Sequence, residues 1–147
     1  MTTGELFAKY SALQATQRDD KTINDPTYWL GSMTPRATGR MLEDIQRCSD
    51  GARPAVASKA ACADMLQMFR AQQSGARRLP HFLAVPVGHK TGDFPPVLAN
   101  DVGIIYARSG PIVVAFFLNG IRGSYAEAED HIGRVAQLIV EYFDGVQ

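Results

Sequence analysis

Charge of one sign is missing from this chain: Lys and Arg number 15, Asp and Glu number 15, and the 147 residues carry no net charge at neutral pH. A balanced chain raises no general field toward phosphate backbones or anionic lipid, so nucleic acid is not an expected partner. Long apolar runs are missing as well. None approaches the roughly 20 residues of a membrane span, and the opening MTTGELFAKY has no basic segment followed by an apolar core. Neither a membrane span nor a signal peptide is expected from the residues present.

Cysteine is scarce. Cys48 and Cys62 fall in separate helical segments, with no CxxC spacing and no paired histidines nearby, which argues against a zinc site. Reduced, partly buried thiols are the reading adopted, and a disulfide stays open because sequence does not set the distance between the two Cβ atoms. His81, His89 and His131 are isolated, the first two too far apart along an extended strand to share a metal. Each reads as a surface histidine of a strand or helix, and no metal or cofactor is expected.

What is present is an ordinary globular composition, 46% apolar and 20% charged, long enough for one core and too short for two. From Thr2 to about Gln17, Leu6, Phe7, Tyr10 and Leu13 recur at helical spacing behind a Thr2/Glu5 capping box. Arg18 to Ser32, with Asp25-Pro26 and Gly31, reads as an ordered loop. Residues 1–33 are thus a helix and a loop. Thr34-Pro35 starts a further helix, with Met41, Leu42 and Ile45 as its buried stripe. Ser58 opens another, whose apolar side is Ala61, Cys62, Met65, Leu66 and Phe69 and whose stop is Ser74-Gly75. GARRLP after it reads as loop.

From His81 to Asn119 the period changes. FLAVPVGHKTG, NDVGIIYAR and PIVVAFFLN are β-branched or apolar runs, joined by a longer loop, DFPPVLA, and by the hairpin signal Ser109-Gly110. A three-stranded antiparallel meander is expected. Ser124 and Glu127 form a second capping box, and Ile132, Val135, Ala136, Ile139, Val140 and Phe143 follow at helical spacing. Glu127, Glu129 and Asp130 in its first turn suit the helix dipole. Helices packed on a meander make the class α+β.

Lys90-Thr91-Gly92 ends a predicted strand and is followed by Asn100-Asp101-Val102-Gly103-Ile104-Ile105, a hairpin strand and a long helix. Upstream, MTPRATGRMLEDIQRC is a Thr-Pro start leading into a helix. This succession resembles the class A serine β-lactamases and their penicillin-binding-protein relatives, whose motif set is S-x-x-K, S-D-N and K-T-G. The resemblance covers about half of a whole catalytic domain, firmly from Thr34 to Phe143. It implies the C-terminal part of a β-lactamase/transpeptidase-like fold, so that residues 1–147 form a partial domain. It also implies roles: Lys90 as a cation stabilising charge at the nucleophile, Thr91 as a hydrogen-bond donor to a substrate carboxylate, Gly92 as room for close approach, and the Asp93 N–H as one oxyanion donor. Asp93-Phe94-Pro95-Pro96 departs from the small, glycine-containing continuation common in that family.

Such an enzyme needs a serine with a lysine three residues on, and none of Ser11, Ser32, Ser49, Ser58, Ser74, Ser109 or Ser124 has one. Ser49-Asp50-Gly51 only superficially matches S-D-N and reads as a helix-terminating turn. Asp19, Asp20 and Asp25 read as solvated loop acids rather than a deacylating base. The chain is therefore expected to supply the K-T-G strand of a hydrolase acting on β-lactams or related cell-wall peptides, inactive until joined to a missing N-terminal segment. The resemblance also implies a sheet that draws further strands from that missing segment. The strand Pro111 to Asn119, with its run IVVAFFL, is therefore expected to be an unprotected edge that dimerises, aggregates or requires the missing half. A homodimer partner is the other association considered. A non-catalytic remnant or binding module is the alternative function, and a plain interaction domain with a chance tripeptide comes third. Location would be periplasmic or extracellular if the chain is part of an exported family member.

Overall fold

The computed structural model describes Glu5, Ala8, Lys9, Ala12 and residues 33–53 and 55–145. Two units are distinguished, Met1–Met33 and Thr34–Gln147. In the first, Glu5, Ala8 and Lys9 are helical, and the Ala12 N–H donates to Ala8 O at 3.2 Å. The rest of the expected Thr2–Gln17 helix and the whole Arg18–Ser32 loop lie outside the described residues.

The second unit is a sheet with helices on both faces. Helix α1, Pro35–Ser49, begins as its sequence requires: Pro35 sits in the first turn and Thr34 Oγ1 accepts the Ala37 N–H at 3.1 Å. Its buried stripe is Thr38, Leu42, Ile45 and Cys48. Met41, expected in that stripe, is 43% exposed. The stripe steps by four, three and three residues from Thr38, and Met41 falls beside it. Helix α2, Lys59–Arg70, is capped by Ser58 Oγ on the Ala61 N–H at 3.1 Å and buries Cys62 and Leu66. It stops at Arg70, short of the expected Ser74-Gly75. Gly75 serves the strand instead: it has φ +76°, and a Cβ there would lie 2.4 Å from Thr91 Cγ2.

Cys48 and Cys62 form a disulfide that ties α1 to α2, their Cα atoms 5.9 Å apart. The reduced-thiol reading is corrected: packing of two helices against one another, not sequence spacing, brings the sulfurs together. Closing a loop of 14 residues' separation restricts the unfolded chain, and reduction is expected to cost about 3 kcal/mol. Urea unfolding with and without reductant checks this, with a Cys48→Ala/Cys62→Ala variant as the reductant-insensitive control.

Strands β1 (Val87–Phe94), β2 (Leu98–Ala107) and β3 (Gly110–Asn119) form the expected antiparallel meander in the order β1-β2-β3. Three boundaries differ from expectation. The first strand starts at Val87 rather than Phe82, because His81 and Leu83 donate to Arg78 O and Pro80 O in successive turns. The DFPPVLA loop shrinks to Pro95, Pro96 and Val97, closed by Val97 N–H to Phe94 O at 2.9 Å, since Asp93 and Phe94 pair with Ala99 and Leu98. The hairpin turn is Arg108-Ser109, with Ala107 facing Gly110 across it.

Helix α3, Tyr125–Gly145, starts where Ser124 Oγ accepts the Glu127 N–H at 3.3 Å. It buries Ile132, Gly133 and Ala136 and leaves Val135 and Phe143 exposed, contrary to expectation. Ile104 and Ile105 show why β2 reads as a continuous apolar run. Ile104 points into a core with Leu42, Ile45, Cys48, Cys62 and Leu66, while its neighbour Ile105 points into a second core with Leu79, Val114, Ile132 and Ala136. Alternation along the strand thus faces α1 and α2 on one side of the sheet and α3 on the other.

The last turn of α3 holds the hairpin: Asp144 accepts the Ser109 N–H at 2.8 Å and the Arg108 Nε–H at 3.4 Å. The backbone hydrogen bond from Ser109, ahead of the contribution of Arg108, holds the Asp144 carboxyl below its ordinary pKa. A depressed folded-state pKa means that its contribution is complete above the ordinary carboxylate range and is lost as pH falls through the lower folded value. Asp144→Asn should therefore melt lower than the parent at neutral pH and converge with it in acid, as read from thermal melts across that range.

Candidate functional site

Alternation along β1 decides where each residue of the tripeptide goes. Gly88, Lys90, Gly92 and Phe94 belong to the face covered by α1 and α2, and a Cβ on Gly88 would meet Phe69 and Arg70 of α2. His89, Thr91 and Asp93 belong to the opposite face, over which α3 packs. Lys90 and Thr91 are thus on opposite faces of one strand. That strand has a single ladder partner, β2, so among the described residues its other edge is unpaired.

Lys90 is exposed, and its ammonium donates to the Thr91 carbonyl oxygen at 2.6 Å. The Thr91 hydroxyl is engaged: Oγ1 lies 2.7 Å from Ser74 Oγ and accepts from Gln72 Nε2 at 3.4 Å, and the residue is buried. Gly92 is exposed, has no positive φ, and would place a Cβ no nearer than 3.7 Å to Asn100 Cβ. Nothing among the described residues demands a glycine there. Ser74 is the serine that meets this strand through Thr91, but its partners, Gln72 and Thr91, are not bases, so nothing in these contacts raises its nucleophilicity.

Behind the strand lie residues that sequence reading passed over. Arg78, read as loop, is 2% exposed and organises the edge. Its guanidinium donates to Asp93 Oδ1, to Glu129 Oε1 at 3.0 Å, to Asn100 O at 2.9 Å and to Tyr125 Oη at 3.0 Å. Burial works against the charged guanidinium, but the hydrogen bond and charge of Asp93, with Tyr125 and Glu129, outweigh it, and the pKa is raised. Burial likewise pushes the Tyr125 phenol up against the lowering pull of Arg78. It remains a neutral donor, its one proton shared between Leu98 O at 3.0 Å and Asp93 Oδ1 at 3.2 Å. Glu129 and Asp130 are thus ion-pair partners, the latter of Arg77 at 2.6 Å, as well as first-turn acids.

His89, expected at the surface, is buried, and its Nδ1 lies 2.9 and 3.0 Å from the two carboxylate oxygens of Asp101. An ionised carboxylate only accepts, so Nδ1 carries the proton. Asp101 is fully buried and also takes the Leu79 N–H at 3.2 Å. The pair is diagonal across the hairpin, since the residue opposite His89 is Gly103. A Cβ at Gly103 would lie 2.5 Å from Gly88 O and 2.8 Å from His89 Cβ, so the glycine makes room for the imidazole. That glycine, two residues after an aspartate in a strand, is the one signal the sequence offered for the pair.

Among the described residues no group of three or more His, Cys, Asp or Glu side chains is arranged to hold a metal ion. No helix among them is long and apolar enough to cross a membrane. The site offers an exposed ammonium, a bare strand edge and a neutralised arginine behind it. This can bind and polarise a ligand. It holds no activated nucleophile among the described residues.

The model of the beta-lactamase enzyme family matches residues 3–143. Among solved structures, a β-lactamase from Sphaerobacter thermophilus is 28% identical with a TM-score of 0.63, over 76% of this chain and 40% of that one. The TLA-3 extended-spectrum β-lactamase is 21% identical with a TM-score of 0.70, over 94% and 52%. A class A β-lactamase representative from Bacteroides cellulosilyticus is 20% identical with a TM-score of 0.70, over 90% and 48%. The chain spans between two-fifths and about half the length of these relatives. No curated protein matches.

Proposed function

Since the chain belongs to the beta-lactamase enzyme family, we propose that it is the C-terminal half of a β-lactamase-like serine hydrolase, contributing the K-T-G strand to catalysis on β-lactams or related cell-wall peptides. The observation that carries this reading is Gly92, a glycine the fold does not require, following Lys90 and Thr91 on the unpaired edge of β1. A bare edge of that kind lets a substrate amide lie against the strand backbone, with the Asp93 N–H as an oxyanion donor. Lys90 adds positive potential from the α1/α2 face, and Thr91 offers its hydroxyl from the other once Ser74 and Gln72 release it.

The serine nucleophile and its base come from a second segment in this reading. Acylation by a labelled penicillin tests it. The chain alone should remain unlabelled, and the chain combined with a segment bearing S-x-x-K and S-D-N should become labelled. Labelling of the chain alone would overturn the division of labour, and an unlabelled assembly that nonetheless forms would overturn the hydrolase reading in favour of a non-catalytic binding module.

A further inference from the structure

Between α2 and the core beneath α3 the chain has to change faces of the sheet. Phe69 and Arg70, at the end of α2, lie against Gly88, whereas Leu79 is buried with Ile105, Val114, Ile132 and Ala136 on the other side. Strand β1 is outermost there, so the chain rounds its free edge. Gln72, Ser74 and Gly75 meet the strand at Thr91. Their backbone groups make no hydrogen bond to β1 among the described residues. What they bring to the edge is side chains.

Those side chains carry more protons than they use among themselves. Gln72 Nε2 donates to Ser74 Oγ at 2.5 Å and to Thr91 Oγ1 at 3.4 Å, and the two hydroxyl oxygens lie 2.7 Å apart. One hydroxyl proton fills the gap between the two oxygens, and the other has no acceptor among the described residues. Thr91 is buried and Ser74 exposed, so when Thr91 donates to Ser74 the spare proton sits on the accessible oxygen. Asp93, two residues along on the same face, is engaged by Arg78 and Tyr125.

We propose that Ser74 is a specificity-determining residue of this edge: with Thr91 behind it and Gln72 beside it, its hydroxyl donates to the carboxylate of a β-lactam or acyl-peptide ligand. This rests on the reading of β1 as the substrate strand. The carboxylate role implied for Thr91 is then shared, Ser74 making the contact and Thr91 orienting it while the trio is intact. A carboxylate only accepts, and a group of donors with one proton to spare is matched to it. The trio is neutral, so its contribution is a short-range hydrogen bond to a charged acceptor. The exposed ammonium of Lys90, by contrast, acts through a field that salt screens.

The test is titration of the ¹⁵N-labelled full chain with benzylpenicillin and with its methyl ester, at low and high salt, following the amide signals of β1. The parent should bind the acid more tightly than the ester, and salt should narrow the gap only in part. In Ser74→Ala the acid should lose about tenfold, as for one hydrogen bond to a charged group, and the ester less. That loss should be equal at both salt concentrations, and Ser74→Thr, which keeps the hydroxyl, should recover most of it. Ser74 is exposed, so both variants should fold. An acid-to-ester ratio in Ser74→Ala equal to the parent's, with β1 signals still moving, would overturn the role of Ser74 and leave the substrate-strand reading standing. A loss that Ser74→Thr does not recover would assign the effect to the segment rather than to the hydroxyl, with the same consequence. Signals of β1 that move with neither ligand in any form would overturn the substrate-strand reading, and this inference with it.

Discussion

Asp101→Ala is expected to destabilise the chain by about 2–6 kcal/mol, the cost of leaving two buried donors without an acceptor. Asp101 is wholly buried and satisfies two donors, the His89 Nδ1–H and the Leu79 N–H. Alanine leaves both without an acceptor, and an orphaned buried donor costs about 1–3 kcal/mol. Leu79 is itself fully buried in the core beneath α3, so water does not readily replace the lost oxygen. Asp101→Asn keeps one carbonyl oxygen and should fall between parent and Asp101→Ala. Urea unfolding at constant m reads the difference. A loss below about 1 kcal/mol, the range of an ordinary exposed hydrogen bond, would mean that the His89–Asp101 pair is not a structural anchor of the β1–β2 hairpin.

The second large effect belongs to chemistry rather than to stability. In an assembly completed with the nucleophile-bearing segment, Lys90→Ala is expected to slow acylation by about 100- to 1,000-fold, the loss typical of one preorganised electrostatic element. The effect should leave folding nearly untouched, because Lys90 is exposed and, among the described residues, its ammonium bonds locally to the Thr91 carbonyl. Equal melting temperatures with a large difference in acylation rate would separate the two contributions. Lys59→Ala, at the exposed start of α2, should match the parent in both measurements. A Lys90→Ala assembly that acylates at the parent rate would reduce Lys90-Thr91-Gly92 to a solvated strand end.

Much of the fold was legible because it rests on local physics. Thr34-Pro35, Ser58 and Ser124 mark helix starts that the structure keeps, since each oxygen has an orphan N–H within the next three residues to satisfy. The change from helical to strand periodicity after His81 placed three strands in one meander, while the cover on both faces of β2 at Ile104 and Ile105 emerged only from the fold. Lys90-Thr91-Gly92 placed the candidate site on that sheet, with the family that the comparisons show.

Tertiary structure decided what depends on distance between remote residues. The burial of Arg78 follows from its position beneath β1 and the start of α3, where Asp93 converges from the strand and Tyr125 and Glu129 from the helix. A loop arginine carries no mark of that in sequence. The Cys48–Cys62 bridge needed the packing of α1 against α2, and the His89–Asp101 pair needed a register one residue could have changed, since a slip by one moves every side chain to the other face. The same alternation put Lys90 and Thr91 on opposite faces of β1, and the three-dimensional cover of Ser74 and Gln72 took up the threonine hydroxyl. Sequence determined the elements and the tripeptide, because those follow from neighbours along the chain. Which charges meet at the edge of β1 was decided only by the fold, because Coulomb's law acts on separation in space.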